Sequence, residues 1–360
     1  MNSNDRVELR AIEGLRLVAS VAIMVSHFAP YAARNETWGD GLRIFVDVFF
    51  VISGIVICTA YHDRVGSAGQ YGLYLQRRFA RLYPLHAATM VFYLGVAAAA
   101  SAGLFRVVNP DRYDLGQLPY YFTMTHAWFG NGRIAWNGVS WSISAELFVY
   151  LLFPLLLYAI RGSVVRSAIV TTILLITCAV VADIRFERSV LAIQTQCSWL
   201  RAIPSFAFGV ALALHRHRLG GAVAQWSDRV AYPLLVLLVA SALLGWPDPL
   251  KLVLTWGAVA FVYAGDLDGR PSLLGHKRIA DQGRLTYSLY LIHPIFATTW
   301  LAFLAPKLGF HGSAMWAAVL IAIAATFIVS HFSFVYFEEP MRRLLGRPMF
   351  GTRRQSAHAS

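Results

Sequence analysis

Acidic side chains are scarce in this 360-residue chain. Nineteen Asp and Glu stand against 31 Lys and Arg, and charged residues make up only 14% of the total. With 57% hydrophobic residues and a mean hydropathy of +0.54, the composition excludes both an ordinary soluble domain and a disordered chain. Cysteine is rarer still. Cys58, Cys178 and Cys197 are scattered and form no Cys-x-x-Cys pair, so they supply neither a disulfide framework nor a thiolate metal site. No internal repeat or low-complexity tract stands out. The net charge of +12 does not form the continuous basic patch of a nucleic-acid binder. Its residues occur in short runs between apolar segments, the pattern of loops on the inner face of a membrane.

What fills the chain is long apolar runs. Ten are candidate membrane spans, at about 14–32, 42–60, 84–104, 139–160, 164–182, 199–215, 230–246, 250–265, 285–304 and 313–335. Placing the N-terminus in the cytoplasm puts 21 of the 31 Lys and Arg in inner regions. That asymmetry predicts an N-in, C-in topology with an even number of spans. The expected fold is all-α, a polytopic membrane helix bundle of about ten transmembrane helices. Residues 1–346 are expected to form a single integral membrane domain, and 347–360 a short, basic, disordered cytoplasmic tail. The first run begins with Glu13 and Arg16 and is followed by no A-x-A site, so it reads as a retained span. Segment 117–129 is apolar but too short to cross, and reads as interfacial or re-entrant.

Ionisable groups inside such spans are functional candidates. Arg16 and His27 share the first span, eleven residues apart. Eleven residues make three helical turns plus about 20°, which puts both side chains on one stripe, separated by about 16 Å along the axis. Among the acids, only Asp47 and Glu146 read as clearly internal. Ser142 lies four residues before Glu146 and shares its face. His293 falls near the middle of the ninth span, with Tyr290 and Thr286 on the same face. An imidazole and a carboxylate at matched depth make a base and its orienter. The alternative is that these groups only tie helices together by hydrogen bonds.

A second cluster is basic. In QYGLYLQRRFARLYP, residues 70–84, Arg78 and Arg81 are three apart on what reads as a short amphipathic helix, and Pro84 then opens the third span. Arg10 and Arg16 approach the same face. The run reads either as a positive-inside anchor or as an anion site, since guanidinium forks match phosphate geometry. Phosphate-binding arginines below a buried histidine suit a coenzyme A thioester.

Six segments, in order, resemble the acyltransferase-3 family of integral membrane O-acyltransferases: LRAIEGLRLVASVAIMVSHF, FVDVFFVISGIVI, RRFARLYP, WSISAELFVYLLFP, LTYSLYLIHP and YFEEPMRRL. They extend over about residues 9–344. The resemblance implies transfer of an acyl group, mostly acetyl, from cytoplasmic acetyl-CoA or another acyl-CoA to a hydroxyl of an extracytoplasmic sugar or glycan. It implies a multi-pass protein of the bacterial cytoplasmic (inner) membrane. An Arg-x10-His element and an Arg-x-x-Arg element are associated with activity in that family; here they are Arg16/His27 and Arg78/Arg81. Two positions depart from its pattern: Glu13 stands where many members have Asp, and Leu147 where many carry a second Glu.

The mechanism expected from both lines docks the acyl-CoA phosphates on Arg10, Arg16, Arg78 and Arg81. His27 acts as base or transient acyl carrier, and Glu146 or Asp47 orients it, with His293 the fourth catalytic candidate. The acceptor passes an aromatic stretch containing Tyr120, Tyr121, Trp128, Trp136 and Trp141. No metal is expected, and no nucleic-acid partner. With no esterase-like domain in these residues, the chain is expected to complete the transfer itself. The residues alone leave open a transporter or flippase for lipid-linked saccharides, although no matched broken helices or inverted repeats are visible. A non-catalytic membrane scaffold would leave the buried ionisable groups unexplained.

Overall fold

In hydrocarbon a backbone must satisfy its own hydrogen bonds, and the long apolar runs accordingly form helices. The computed structural model describes residues 8–348 except 36, 38, 108, 130 and 131. From residue 349 on, the expected tail lies outside the described residues. The principal helices are α1 (Arg10–Ala33), α2 (Phe45–Tyr61), α3 (Ala68–Ser101), α4 (Trp141–Ile160) and α5 (Val164–Phe186). They are followed by α6 (Trp199–Leu214), α7 (Ser227–Leu243), α8 (Asp248–Leu267), α9 (Thr286–Phe296) and α10 (Ala314–Ser333). Two π-helical segments extend the last two: Ala297–Leu304 continues α9, and Phe334–Glu338 leads from α10 into the helix Glu339–Leu345. There is no strand among the described residues.

Nine helical stretches among the described residues are long and apolar enough to cross a membrane. The tenth expected span, α6, has 16 residues. At 1.5 Å per residue that is about 24 Å, short of a hydrocarbon core of about 30 Å. Most of its residues are buried, so α6 is an interior helix packed on α2. Small residues permit that packing. A Cβ on Gly54 would lie 2.2 Å from the Phe206 carbonyl oxygen, and one on Gly209 would lie 2.0 Å from that of Val51. Each helix presents a glycine to the other's backbone, as close helix pairs in membranes do.

Local chemistry sets several helix starts. Ser67 and Ser163 cap α3 and α5, accepting from the backbone N–H groups of Gln70 and Arg166. No side chain of its own first turn caps α1. Its Ala11 and Ile12 N–H groups instead donate to the Asp266 carboxylate at the end of α8, both at 2.8 Å. One sequence expectation is corrected here. Residues 70–84 and the third span are not separate elements, because α3 runs unbroken for 34 residues with Pro84 inside it. Proline removes one hydrogen bond from a helix, but membrane helices tolerate that loss when neighbours compensate.

Both ends of the described chain reach one face of the bundle. The Gln76 side-chain amide donates to the carbonyls of Leu345 and Arg347, and Arg10, Arg77 and Arg342 border one cavity.

The glycine contact is directly testable. Gly54→Ala pushes a methyl group into backbone that no rotamer change can move, and should cost about 1–3 kcal/mol. Gly72→Ala, on α3 with open space around it, should be neutral or stabilising by up to about 1 kcal/mol. Unfolding in detergent micelles measures both, and equal midpoints would contradict the packing described.

Candidate active site

Three cavities follow one another through the bundle. The first, of about 890 Å³, opens on the face that carries both chain ends. Ten Lys and Arg side chains border it, against three carboxylates, which gives it a strongly positive field. The second, of about 130 Å³, shares Arg16, Val56, Arg78 and Arg81 with the first and adds Ser53, Ser142, Glu146 and Tyr150. The third, of about 270 Å³, shares Val46 and Tyr290 with the second and contains His27. Arg10 and Arg16 thus border the first cavity while His27 and Tyr31, further along the same helix, border the third.

The partner of His27 is His293. Nε2 of His293 lies 3.2 Å from Nδ1 of His27, and the ring centroids are 5.0 Å apart. The backbone fixes both tautomers. His27 Nδ1 lies 2.9 Å from the Ile23 carbonyl, and His293 Nδ1 lies 3.1 Å from that of Leu289. A carbonyl only accepts, so both Nδ1 atoms carry protons and both Nε2 atoms keep lone pairs. His27 therefore donates through Nδ1, shared between Ile23 and His293, and its Nε2 is the basic atom. The fully buried His293 is held further by ring contacts with Phe28 and Tyr290. Tyr290 is fixed in turn, because its hydroxyl donates to Val139 O at 2.9 Å and accepts from Ser142 Oγ at 2.7 Å.

Neither internal carboxylate reaches His27. Glu146 accepts from the Ser53 and Tyr150 hydroxyls in the middle cavity, where Ser142 joins it as their spacing requires. Asp47 is fully buried and binds Arg201, with Oδ2 at 2.7 Å from Nη2 and 3.0 Å from Nε. A carboxylate orienter for His27 is therefore replaced by an imidazole. The side chain that reaches His27 comes from α9, which contains Pro294, rather than from α2 or α4.

The four arginines divide by partner. Arg10 pairs with Glu8 and Arg16 with Glu13, each at 2.9 Å. Arg81 donates to Glu338 and lies over the Tyr287 ring. Among the described residues Arg78 donates only to the Tyr61 hydroxyl, at 3.2 Å, and its buried Nε has no partner. Of the four, Arg78 keeps the largest unneutralised charge toward an incoming anion.

Several site residues are not legible from hydropathy. Glu338 is 2% exposed although it lies past the last apolar run, because the π-helical segment before it ends facing Arg81 and Ser288. Asp266 is a second buried acid outside the expected pair. The YFEEPMRRL segment was the available signal for Glu338. Arg43 and Arg112 border the His27 cavity from the short turns Asp40–Ile44 and Pro110–Tyr113. The aromatic stretch is also revised. Tyr121 and Trp136 are buried, the Tyr121 hydroxyl accepting from Ala135 N–H and Trp136 Nε1 donating to Asp114 O; Trp141 borders the His27 cavity. Segment 117–129 is tied to the bundle, with Trp128 Nε1 donating to Ser144 O at 2.8 Å and Ser198 N–H to Ala127 O at 3.0 Å.

If Arg81 and Glu338 act as a pair, removing both should cost less than the sum of the single losses. A double-mutant cycle of Arg81→Ala and Glu338→Ala on unfolding free energy should give a coupling of about 1–3 kcal/mol. The same cycle with Arg78→Ala should give less than about 0.5 kcal/mol. Equal coupling for the two arginines would refute this division of roles.

Comparison with known proteins agrees with the motifs. The chain is similar to acyltransferase MdmB of Streptomyces mycarofaciens, 28% identical over 176 residues, which cover 44% of this chain and 42% of that protein. It is similar to protein 2 in the picA locus of Rhizobium radiobacter, 28% identical over 154 residues, 38% of this chain and 76% of the other. It also resembles the peptidoglycan O-acetyltransferase OatA of Listeria monocytogenes, 23% identical over 372 aligned positions that take in 94% of this chain and 56% of that protein. No solved structure matches the chain. The family described as an acyltransferase domain matches residues 9–334, nearly the whole length, and the chain belongs to that acyltransferase-3 family.

Proposed function

We propose that this protein is a membrane O-acyltransferase, acting as one unit over residues 1–346 in the cytoplasmic (inner) membrane of a bacterium. It moves an acyl group, acetyl in the first instance, from acyl-CoA on the arginine-rich face to a hydroxyl of a saccharide or glycan on the opposite face. The observation that carries this reading is the succession of three cavities from the arginine cluster to His27, each sharing wall residues with the next. Relatives named as an acyltransferase and as a peptidoglycan O-acetyltransferase support the reaction class.

The phosphates of the donor bind Arg78, with Arg10, Arg16 and Arg81 at the same cavity. The pantetheine arm threads the middle cavity past Glu146, whose carboxylate accepts amide N–H groups, and brings the thioester to His27. The acceptor hydroxyl gives its proton to His27 Nε2 as its oxygen attacks the thioester carbon. The tetrahedral intermediate then collapses, the carbon–sulfur bond breaks, and His27 returns the proton to the leaving thiolate. His293 accepts the Nδ1 proton of His27 as a hydrogen bond throughout, holding the ring in its productive tautomer and stabilising the imidazolium.

His27→Ala should lower transfer about 10²–10⁴-fold, the usual worth of a general base, with protein accumulating normally in the membrane. His293→Ala should lower kcat, leave donor affinity unchanged and shift the pH profile of kcat. The readout is the mass of the acceptor glycan, which gains one acyl unit per transfer. Near-normal transfer by the His27 variant would overturn the mechanism.

A further inference from the structure

The His27 cavity holds two guanidiniums that the proton transfer does not use. Arg43 and Arg112 both border it, and no carboxylate among the described residues does. Arg112 lies in the outer loop, on the short turn Pro110–Tyr113. Its Nε donates to Trp136 O at 2.7 Å, its Nη1 donates to Thr298 Oγ1 at 3.1 Å, and its plane lies over the Tyr93 ring. Those partners fix the guanidinium in place but are all uncharged, and the two hydrogen bonds use two of its five N–H donors. Arg43 lies on the turn before α2, 2.8 Å from Asp40, with its Nε buried and without a partner.

A guanidinium held rigidly in a partly enclosed cavity is costly unless something neutralises it, and a charge-assisted contact there is roughly twice as strong as a neutral one. The donor phosphates do not serve, since their arginines border the first and middle cavities and none of them borders the third. The neutralising group must then come with the acceptor. At about 270 Å³ the cavity is smaller than those that enclose a drug-sized ligand, roughly 300–1,000 Å³. The anion and the reacting hydroxyl therefore fall on the same sugar residue or on adjacent ones.

Resting on the acyltransferase reading, we infer that Arg112 and Arg43 form an anion subsite for the acceptor, and that the saccharide acylated here carries a carboxylate or phosphate close to the modified hydroxyl. Neutral saccharides leave Arg112 unpaired and bind more weakly, and cationic ones are repelled.

The test uses the full chain in lipid nanodiscs and three matched trisaccharides: a neutral one, its uronate counterpart and a phosphorylated counterpart. Binding is followed by tryptophan fluorescence, without turnover. At least one anionic trisaccharide should bind tenfold or more tighter than the neutral one, with the gap shrinking as salt rises. The uronate and phosphate arms identify which anion is preferred. Arg112→Gln and, independently, Arg43→Gln should reduce the gap at least threefold while acyl-CoA binding at the opposite face stays unchanged, which also reports intact folding. Equal affinity for all three, no binding of any, or variants that keep the gap would overturn the subsite. So would variants that lower turnover on charged and neutral acceptors alike without changing binding, since that marks oxyanion stabilisation instead. Loss of acyl-CoA binding by the unaltered protein would instead strike at the acyltransferase reading itself.

Discussion

The Asp47–Arg201 pair is the contact that lets the interior of this bundle be both charged and stable. Both side chains are essentially inaccessible, and the pair is hydrogen-bonded on all sides. Arg201 also donates to the carbonyls of Leu191 and Arg43, Ser205 Oγ lies 3.4 Å from Asp47 Oδ1, and the guanidinium covers the Trp141 ring. A charge in hydrocarbon is tolerated only when paired, and removing one partner of such a pair costs about 3–5 kcal/mol. The pair fixes α2 against α6, where the reciprocal glycines bring the backbones together. It also fixes Trp141 at the start of α4 and Arg43 on the turn before α2, so two walls of the His27 cavity are set by a contact outside that cavity.

The other buried charges follow the same rule and sort themselves by it. Asp266 holds the first turn of α1, the helix that carries the Arg16–His27 stripe, and Glu338 is paired with Arg81. Arg78 and Arg112 have no carboxylate partner among the described residues. They lie at opposite ends of the cavity series, Arg78 at the large basic opening and Arg112 beside His27. His27 therefore has one of these guanidiniums in its own cavity and the other across the middle cavity.

Much of this was legible in the sequence because hydrocarbon leaves few choices. Apolar length located the helices to within a few residues except α3, whose amphipathic first half was read as a separate element, and the basic runs placed both chain ends on one face. His27, Asp47, Glu146 and His293 could be picked out as polar atoms inside apolar runs. Their partners could not. His27 meets His293 across 266 positions, and Asp47 meets Arg201 across 154. Helical periodicity gives the face of a helix but not the neighbour that covers it. Arg201 reads as a span-end cation because it lies in the first turn of the helix at 199–214. Glu338 reads as interfacial because nothing in hydropathy announces a π-helical segment, a device that recurs at functional sites. Arg112 reads as an ordinary outer-loop residue until the loop is seen folded over the His27 cavity.

The central claim is that donor and acceptor approach His27 from opposite faces, so that only the acyl group crosses. The decisive measurement uses sealed vesicles holding the protein in one orientation, with labelled acyl-CoA confined to the face bearing Arg78 and the acceptor saccharide to the face bearing Arg112. The account predicts labelled ester on the acceptor and free coenzyme A released on the donor side. Ester formed only when acyl-CoA is supplied on the Arg112 face would contradict it.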